Sequence, residues 1–189
     1  RRISRKGKKV ITAAVIAAAA CLVFLYAEKR SYHSYKVLNT SEQEDVVSTQ
    51  YVDMDGDILR YSPDGVSVVD NSMNTIWNET YTMQNPIADV NGSRAVVADS
   101  EGTSLYICDK KGVTGTVTTS YAIVKVRIAS NGMVAVILDN DDNTWINFYN
   151  PDGSLVAENL TKIDDPGYPM DVAVSDNGVM MVTFQYVDG

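Results

Sequence analysis

Val126-Arg127-Ile128-Ala129-Ser130-Asn131-Gly132-Met133-Val134-Ala135-Val136-Ile137 (126–137) is the stretch that decides the fold. Two β-rich runs flank an Asn-Gly pair. That is the strongest short-range hairpin signal, because both turn positions must tolerate positive φ. The unit recurs. Asp55-Gly56 lies between Tyr51-Val52 and Ile58-Leu59, and Asn91-Gly92 between Ile87-Ala88 and Ala95-Val96-Val97. Asn177-Gly178 lies between Val172-Ala173-Val174 and Met180-Met181-Val182. The four glycines are 36, 40 and 46 residues apart. Each pair is expected to form a two-residue turn.

A second turn family follows each of the first three hairpins. Third strands Val66–Val69, Leu105–Cys108 and Trp145–Tyr149 run into Asp70-Asn71, Asp109-Lys110-Lys111-Gly112 and Asn150-Pro151-Asp152-Gly153. Fourth strands follow at Thr75-Ile76-Trp77, Val113–Val117 and Leu155-Val156-Ala157. Four strands every 36–46 residues is the spacing of propeller blades. A β-sandwich also has short strands and Asx-Gly turns, but it has no reason to repeat a four-strand unit. The expected fold is therefore all-β: an incomplete β-propeller of about three and a half four-stranded blades over residues 51–189, stopping in its fourth unit. A ring of seven or eight blades would need roughly 300–400 residues.

The N-terminus has a different character. Val10 to Ala27 is 18 residues without a charge, eight of them Val, Ile, Leu or Phe. As a helix it spans about 27 Å, close to a hydrocarbon core of ~30 Å. Six Lys or Arg precede it within residues 1–9, and only Lys29 and Arg30 follow closely. The expectation is one transmembrane helix, residues 10–27, in contact with the lipid bilayer. A cytoplasmic basic tail (1–9) would precede it, and everything after it would lie outside the cell membrane. A signal peptide cleaved near Ala18–Ala20 and a lipoprotein at Cys21 are the alternatives. Residues 28–50 read as a juxtamembrane connector, in which Tyr35-Lys36-Val37-Leu38 is a possible ring-closing strand.

Charge and composition bound the function. From totals of 16 basic and 24 acidic residues, residues 31–189 hold 8 and 23, a net of −15. Nucleic acid is excluded as a natural partner for a domain of that sign. One histidine, His33, cannot build a zinc site or a Ser-His-Asp triad. Cys21 lies in the anchor and Cys108 in a strand, so no disulfide is expected. Asp53, Asp55 and Asp57 lack the glycine at the sixth position that a calcium loop needs, and read as a plain hairpin. Trp77, Trp145, Tyr106 and Phe148 fall on strands and are expected to pack between blades. No catalytic, cofactor or metal residues are assigned.

The anchor, Tyr35–Leu38, Ile58-Leu59-Arg60-Tyr61-Ser62, Ile76-Trp77-Asn78 and Met83-Gln84-Asn85-Pro86 together resemble one family. It comprises membrane-anchored β-propeller proteins of Gram-positive anaerobes, a domain of unknown function. Val172-Ala173-Val174-Ser175-Asp176-Asn177-Gly178 is similar to repeats of WD40-like and quinoprotein-like propellers. The resemblance covers nearly the whole chain. It implies a fold and brings no activity, cofactor or catalytic residue.

Strand reversal then assigns loops to two faces. One face carries the Asx-Gly turns. The opposite face gathers Asp64, Asp99, Glu101, Asp139, Asp141, Asp142, Asp164 and Asp165, with Lys162 the nearest base, and a longer loop leading to Tyr168. Asp139, Asp141, Asp142, Asp164, Asp165 and Tyr168 are the candidate partner-binding residues. The expected role is a binding scaffold for an envelope protein or ligand, through a basic partner or a divalent cation. The runner-up is a propeller enzyme with a quinoprotein-like cofactor site elsewhere.

Overall fold

The computed structural model describes residues 15–17, 19–23, 48–140, 143–162 and 167–185. The tail (1–9), most of the 10–27 segment, residues 28–47 with Tyr35–Leu38, and Asp141, Asp142, Asp164 and Asp165 lie outside the described residues. Two compact units divide the chain, residues 1–40 and 41–189. In the first, residues 15–17 and 19–23 are helical, with Val15, Ile16, Leu22 and Val23 exposed. Among the described residues no helix is long and apolar enough to cross a membrane.

The second unit is all β. Blade 1 is β1 (Gln50–Met54), β2 (Asp57–Ser62), β3 (Gly65–Val69) and β4 (Thr75–Thr80). Blade 2 is β5 (Pro86–Asn91), β6 (Arg94–Asp99), β7 (Ser104–Asp109) and β8 (Gly112–Thr118). Blade 3 is β9 (Ala122–Ile128), β10 (Val134–Asp139), β11 (Asn143–Tyr149) and β12 (Leu155–Lys162). A hairpin, β13 (Tyr168–Val174) with β14 (Met180–Gln185), begins a fourth unit. Every sheet is an antiparallel meander in chain order. The Val-, Ile- and Thr-rich runs suit a pleated surface packed on its faces.

Three apolar cores lie between successive units. Met54, Leu59, Val68, Ala95 and Val97 join blades 1 and 2. Val96, Leu105, Ile107, Val126, Val136 and Leu138 join blades 2 and 3. Ala135, Ile137, Ile146, Phe148 and Val172 join blade 3 to the fourth unit. Trp77 and Tyr106 pack on the first core, Trp145 on the second and Phe148 in the third, as the strand positions imply. The first strands β1, β5, β9 and β13 touch in succession.

The turns correct one expectation. Only Asp55-Gly56 is a two-residue turn with both φ positive, at 54° and 86°. In blade 2, Asn91 pairs with Arg94, so the turn residues are Gly92-Ser93 with Gly92 at φ 58°, glycine in the first position as type II′ turns favour. Asn131-Gly132 and Asn177-Gly178 sit in five-residue turns. There the glycine N–H bonds three residues back, Gly132 to Ala129 at 2.9 Å and Gly178 to Ser175 at 3.0 Å. Two β3–β4-type turns use the same geometry: Gly153 N–H reaches Asn150 O, and Met73 N–H reaches Asp70 O, both at 2.9 Å. Met73 holds φ 65° where its counterparts hold glycine. An Asx-Gly pair supplies the left-handed residue, but strand register decides which turn uses it.

Candidate functional site

Turns β1–β2 and β3–β4, with their equivalents, emerge on one face, and β2–β3 turns with the inter-blade links on the other. The first face is occupied by ties between blades. Lys110 Nζ reaches Asp57 at 3.0 Å and Asp55 at 3.7 Å, and these carboxylates, Asp57 first, raise its pKa. The Asp53–Asp57 segment is thus a hairpin tip clamped by a lysine. Trp77 Nε1 donates to Asp109 O at 3.1 Å, and Asn91 Nδ2 to Ile128 O at 3.2 Å. Thr114 Oγ1 donates to Pro151 O at 2.8 Å, and Asn131 Nδ2 to Asp176 O at 2.9 Å. Next to Thr114, a Cβ on Gly115 would lie 2.4 Å from Asp152 C, so only glycine lets β8 approach the blade 3 turn this closely.

The acidic face is built differently. Asp99 Oδ1 accepts the N–H groups of Gln84 and Asn85 at 3.0 and 2.8 Å, fixing the link from blade 1. Asp99 is therefore a structural cap. The Ser100-Glu101-Gly102 turn of blade 2 is strapped to the first strand of blade 3. Glu101 N–H donates to Ile123 O and Ile123 N–H to Gly102 O, both at 2.8 Å, beside a parallel bridge Ser100–Ile123. Glu101 takes φ 67°. Gly102 does not; it is required because a Cβ there would meet Asp99 Oδ2 at 2.4 Å.

Asp139 ends β10, and Tyr168 opens β13, at the end of the loop that leads to it. The Tyr168 hydroxyl donates to Asp139 Oδ2 at 3.0 Å, across the seam to the fourth unit. Partial burial, then the Asp139 carboxylate, holds the phenol above its ordinary pKa. Of the six candidate residues, these two are brought together. Asp141, Asp142, Asp164 and Asp165 lie outside the described residues. Asp139, Tyr168, Glu101, Ser100, Ile123 and Val124 surround a cavity of about 330 Å³. A second hollow of about 220 Å³, over Gln84, Asn85 and Asp99, shares Ser100 and Glu101 with it.

Between the faces runs a charge network that the sequence reading missed. Arg127 on β9 meets Asp89 on β5 at 3.5 Å and Asp171 on β13 at 3.2 Å, and Lys125 meets Asp171 at 3.3 Å. Burial raises the Asp89 pKa against the Ile128 N–H and Arg127. Burial also pushes Asp171 up, but the Val172 N–H, Arg127 and Lys125 outweigh it, and its pKa falls. Alternating signs on successive first strands was the available signal. Cys108 is buried, its thiol pushed up to about 12 by burial and Asp109, so it is not a ready nucleophile. Among the described residues no three of His, Cys, Asp and Glu are grouped to hold a metal ion.

Comparisons with known proteins follow this architecture. Residues 28–189 match the model of a family of unknown function, DUF5711, and the chain belongs to that family. A Kluyvelomyces marxianus Hsv2 crystal structure is 19% identical with a TM-score of 0.50, covering 80% of this chain and 51% of that one. A protein of unknown function from Bacteroides caccae is 18% identical with a TM-score of 0.43, covering 72% and 54%. The Neurospora crassa Pan2 WD40 domain is 15% identical with a TM-score of 0.40, covering 58% and 34%. At 19% identity the Hsv2 likeness speaks for the fold alone, and the chain spans 34–54% of the length of the three structures. No curated protein matches the chain.

Proposed function

We propose that this member of the family is a binding scaffold of the cell envelope, held at the membrane through residues 10–27 with its blades outside, and that binding, not catalysis, is its role. The observation that carries this reading is the contrast between the faces. Tight turns and side-chain ties from Trp77, Asn91 and Lys110 occupy one face, with no cavity described among them. The other presents carboxylates and a cavity walled by three successive units. The 18-residue apolar stretch and the basic residues before it support the tether and its orientation. A net of −15 over residues 31–189 favours a basic partner, with association that is steered electrostatically and weakens with salt.

The test is crosslinking in native membranes. Protein carrying Asn at Asp139, Asp141, Asp142, Asp164 and Asp165 should capture about tenfold less partner at low salt than the parent. Equal capture by both, with unchanged unfolding curves, would remove the acidic face from the reading. Protease added to protoplasts should digest the blades and spare residues 1–9; protected blades would reverse the topology.

A further inference from the structure

We propose that Asn91-Gly92 is a site of spontaneous deamidation through a succinimide, and that the reaction releases a tie between blades 2 and 3. The proposal is independent of the scaffold reading.

Asn91-Gly92, Asn131-Gly132 and Asn177-Gly178 share the chemistry, and the fold treats them differently. The nucleophile is the glycine nitrogen, and an N–H engaged in a hydrogen bond gives up its proton less readily. Gly132 N–H is bonded to Ala129 O at 2.9 Å and Gly178 N–H to Ser175 O at 3.0 Å. Gly92 N–H has no hydrogen bond among the described residues. The register is the reason. The ladder of blade 2 ends at the Asn91–Arg94 pair, and Gly92 lies in the turn beyond it. The surroundings add to this. Gly132 is buried, and a Cβ on it would stand 3.0 Å from the Pro151 ring. Gly92 is exposed, and a Cβ there would meet nothing within 4 Å. Gly178 is exposed as well, so its restraint is the bond to Ser175. The asparagines differ too. Asn131 is held through both amide atoms, Nδ2 on Asp176 O and Oδ1 under the Met133 N–H. Among the described residues Asn91 is held through Nδ2 alone. Asp55-Gly56 offers a carboxylate ion-paired with Lys110, and an ionised carboxylate resists nucleophiles.

Hydroxide from solvent removes the Gly92 N–H proton, and the nitrogen attacks Asn91 Cγ. The N–Cγ bond forms, the Cγ–Nδ2 bond breaks, and the leaving nitrogen takes a proton from water to depart as ammonia, returning the hydroxide. Water then opens the imide at either carbonyl and leaves aspartate or isoaspartate. The amide that is lost donates to Ile128 O at 3.2 Å. From the same strand, Asp89 Oδ2 accepts the Ile128 N–H at 2.8 Å, so β5 grips Ile128 at both of its main-chain groups. After the reaction a carboxylate faces the Ile128 carbonyl, acceptor against acceptor, with the Asp89 carboxylate on the same side of the strand. Isoaspartate also lengthens the main chain at the end of β5, next to the turn that sets its register with β6.

The experiment is peptide mapping by mass spectrometry of the full chain in detergent, aged at mildly alkaline pH either folded or unfolded in urea. In the folded chain Asn91 should deamidate about fivefold faster than Asn131 or Asn177, the factor that one hydrogen bond is worth in rate. In urea the three rates should converge, because each site is then a plain Asn-Gly link. Asn131 or Asn177 leading in the folded chain overturns the site. The same order and spread in urea also overturns it, because flanking sequence is then the cause. The consequence is read from melting curves. Asn91→Asp, which presents the product's carboxylate, should lower the midpoint by about 2–4 °C. Asn177→Asp, whose side chain bonds within its own turn, should stay within about 1 °C of the parent. Equal midpoints for Asn91→Asp and the parent would overturn the release of the tie.

Discussion

Blade 2 and the fourth unit open with the same antiparallel hairpin and have different surroundings. In β6, Ala95, Val96, Val97 and Ala98 are consecutive and all buried. Ala95 and Val97 face blade 1, while Val96 and Ala98 face blade 3. In β14, Met180-Met181-Val182 is equally apolar, yet Met180 and Val182 pack on blade 3 while Met181 is 65% exposed. The run in β10, Val134–Leu138, is buried throughout, like β6. An unbroken apolar run in an antiparallel strand thus records two covering neighbours, whereas one-sided cover leaves alternation.

The contrast is broken most directly in the core. Ile107→Ala removes a fully buried side chain between blades 2 and 3 and should cost roughly 3 kcal/mol. Met181→Ala should stay within about 0.5 kcal/mol. Urea unfolding of the two variants checks this, and similar midpoints would mean that the blades do not share their cores as described. The seam comes next. Gly115→Ala forces a methyl group onto the Asp152 and Gly153 backbone and should cost about 1–3 kcal/mol. In the fourth unit, Gly178→Ala meets nothing nearer than Met133 Sδ at 4.0 Å. It loses only its left-handed backbone preference, about 1 kcal/mol. Reversal of that order in thermal melts would remove the close-approach argument.

Much of this architecture was legible in the sequence, for local reasons. Strand runs and the two turn families announce themselves through residue type, and their common order gives the repeat. The turn geometries were not legible, because Asn91-Gly92 and Asn131-Gly132 look alike and differ only in register with the next strand. Most of the described site was hidden for a different reason. Asp139 and Tyr168 are 29 residues apart and meet only because adjacent units pack. Glu101 takes the left-handed backbone that a reader would assign to Gly102, since Asp99 fills the space a Gly102 Cβ would need.

Two smaller effects sharpen the picture. Met73→Gly should stabilise by about 0.5 kcal/mol, since its φ of 65° suits glycine better and matches the turn of blade 3. Destabilisation in a chemical melt would show that the Met73 side chain holds the turn. The charge network gives a pH dependence. Asp171 has a depressed folded pKa, so its contribution is complete above the ordinary carboxylate range near pH 4 and is lost as pH falls through its folded value. Asp89 has the opposite sign: its raised pKa means that protonation relieves a burial penalty as pH falls toward 4. Asp171→Asn should therefore flatten the melting profile below about pH 4, and Asp89→Asn should flatten it only above that. Profiles parallel to the parent in both variants would show that neither carboxylate senses folding.

Four of the ties between blades share a direction. Trp77, Thr114, Asn91 and Asn131 each donate from one unit to a main-chain carbonyl of the unit that follows; Lys110 reaches backward. A carbonyl is present at every position whatever the side chain. For these four ties the recipient blade needs no matching side chain, whereas Lys110 with Asp57 and Arg127 with Asp89 and Asp171 need a residue on each side. Side-chain divergence in the recipient therefore leaves these four ties in place, while the apolar cores and ion pairs of the same junctions depend on residues of both units.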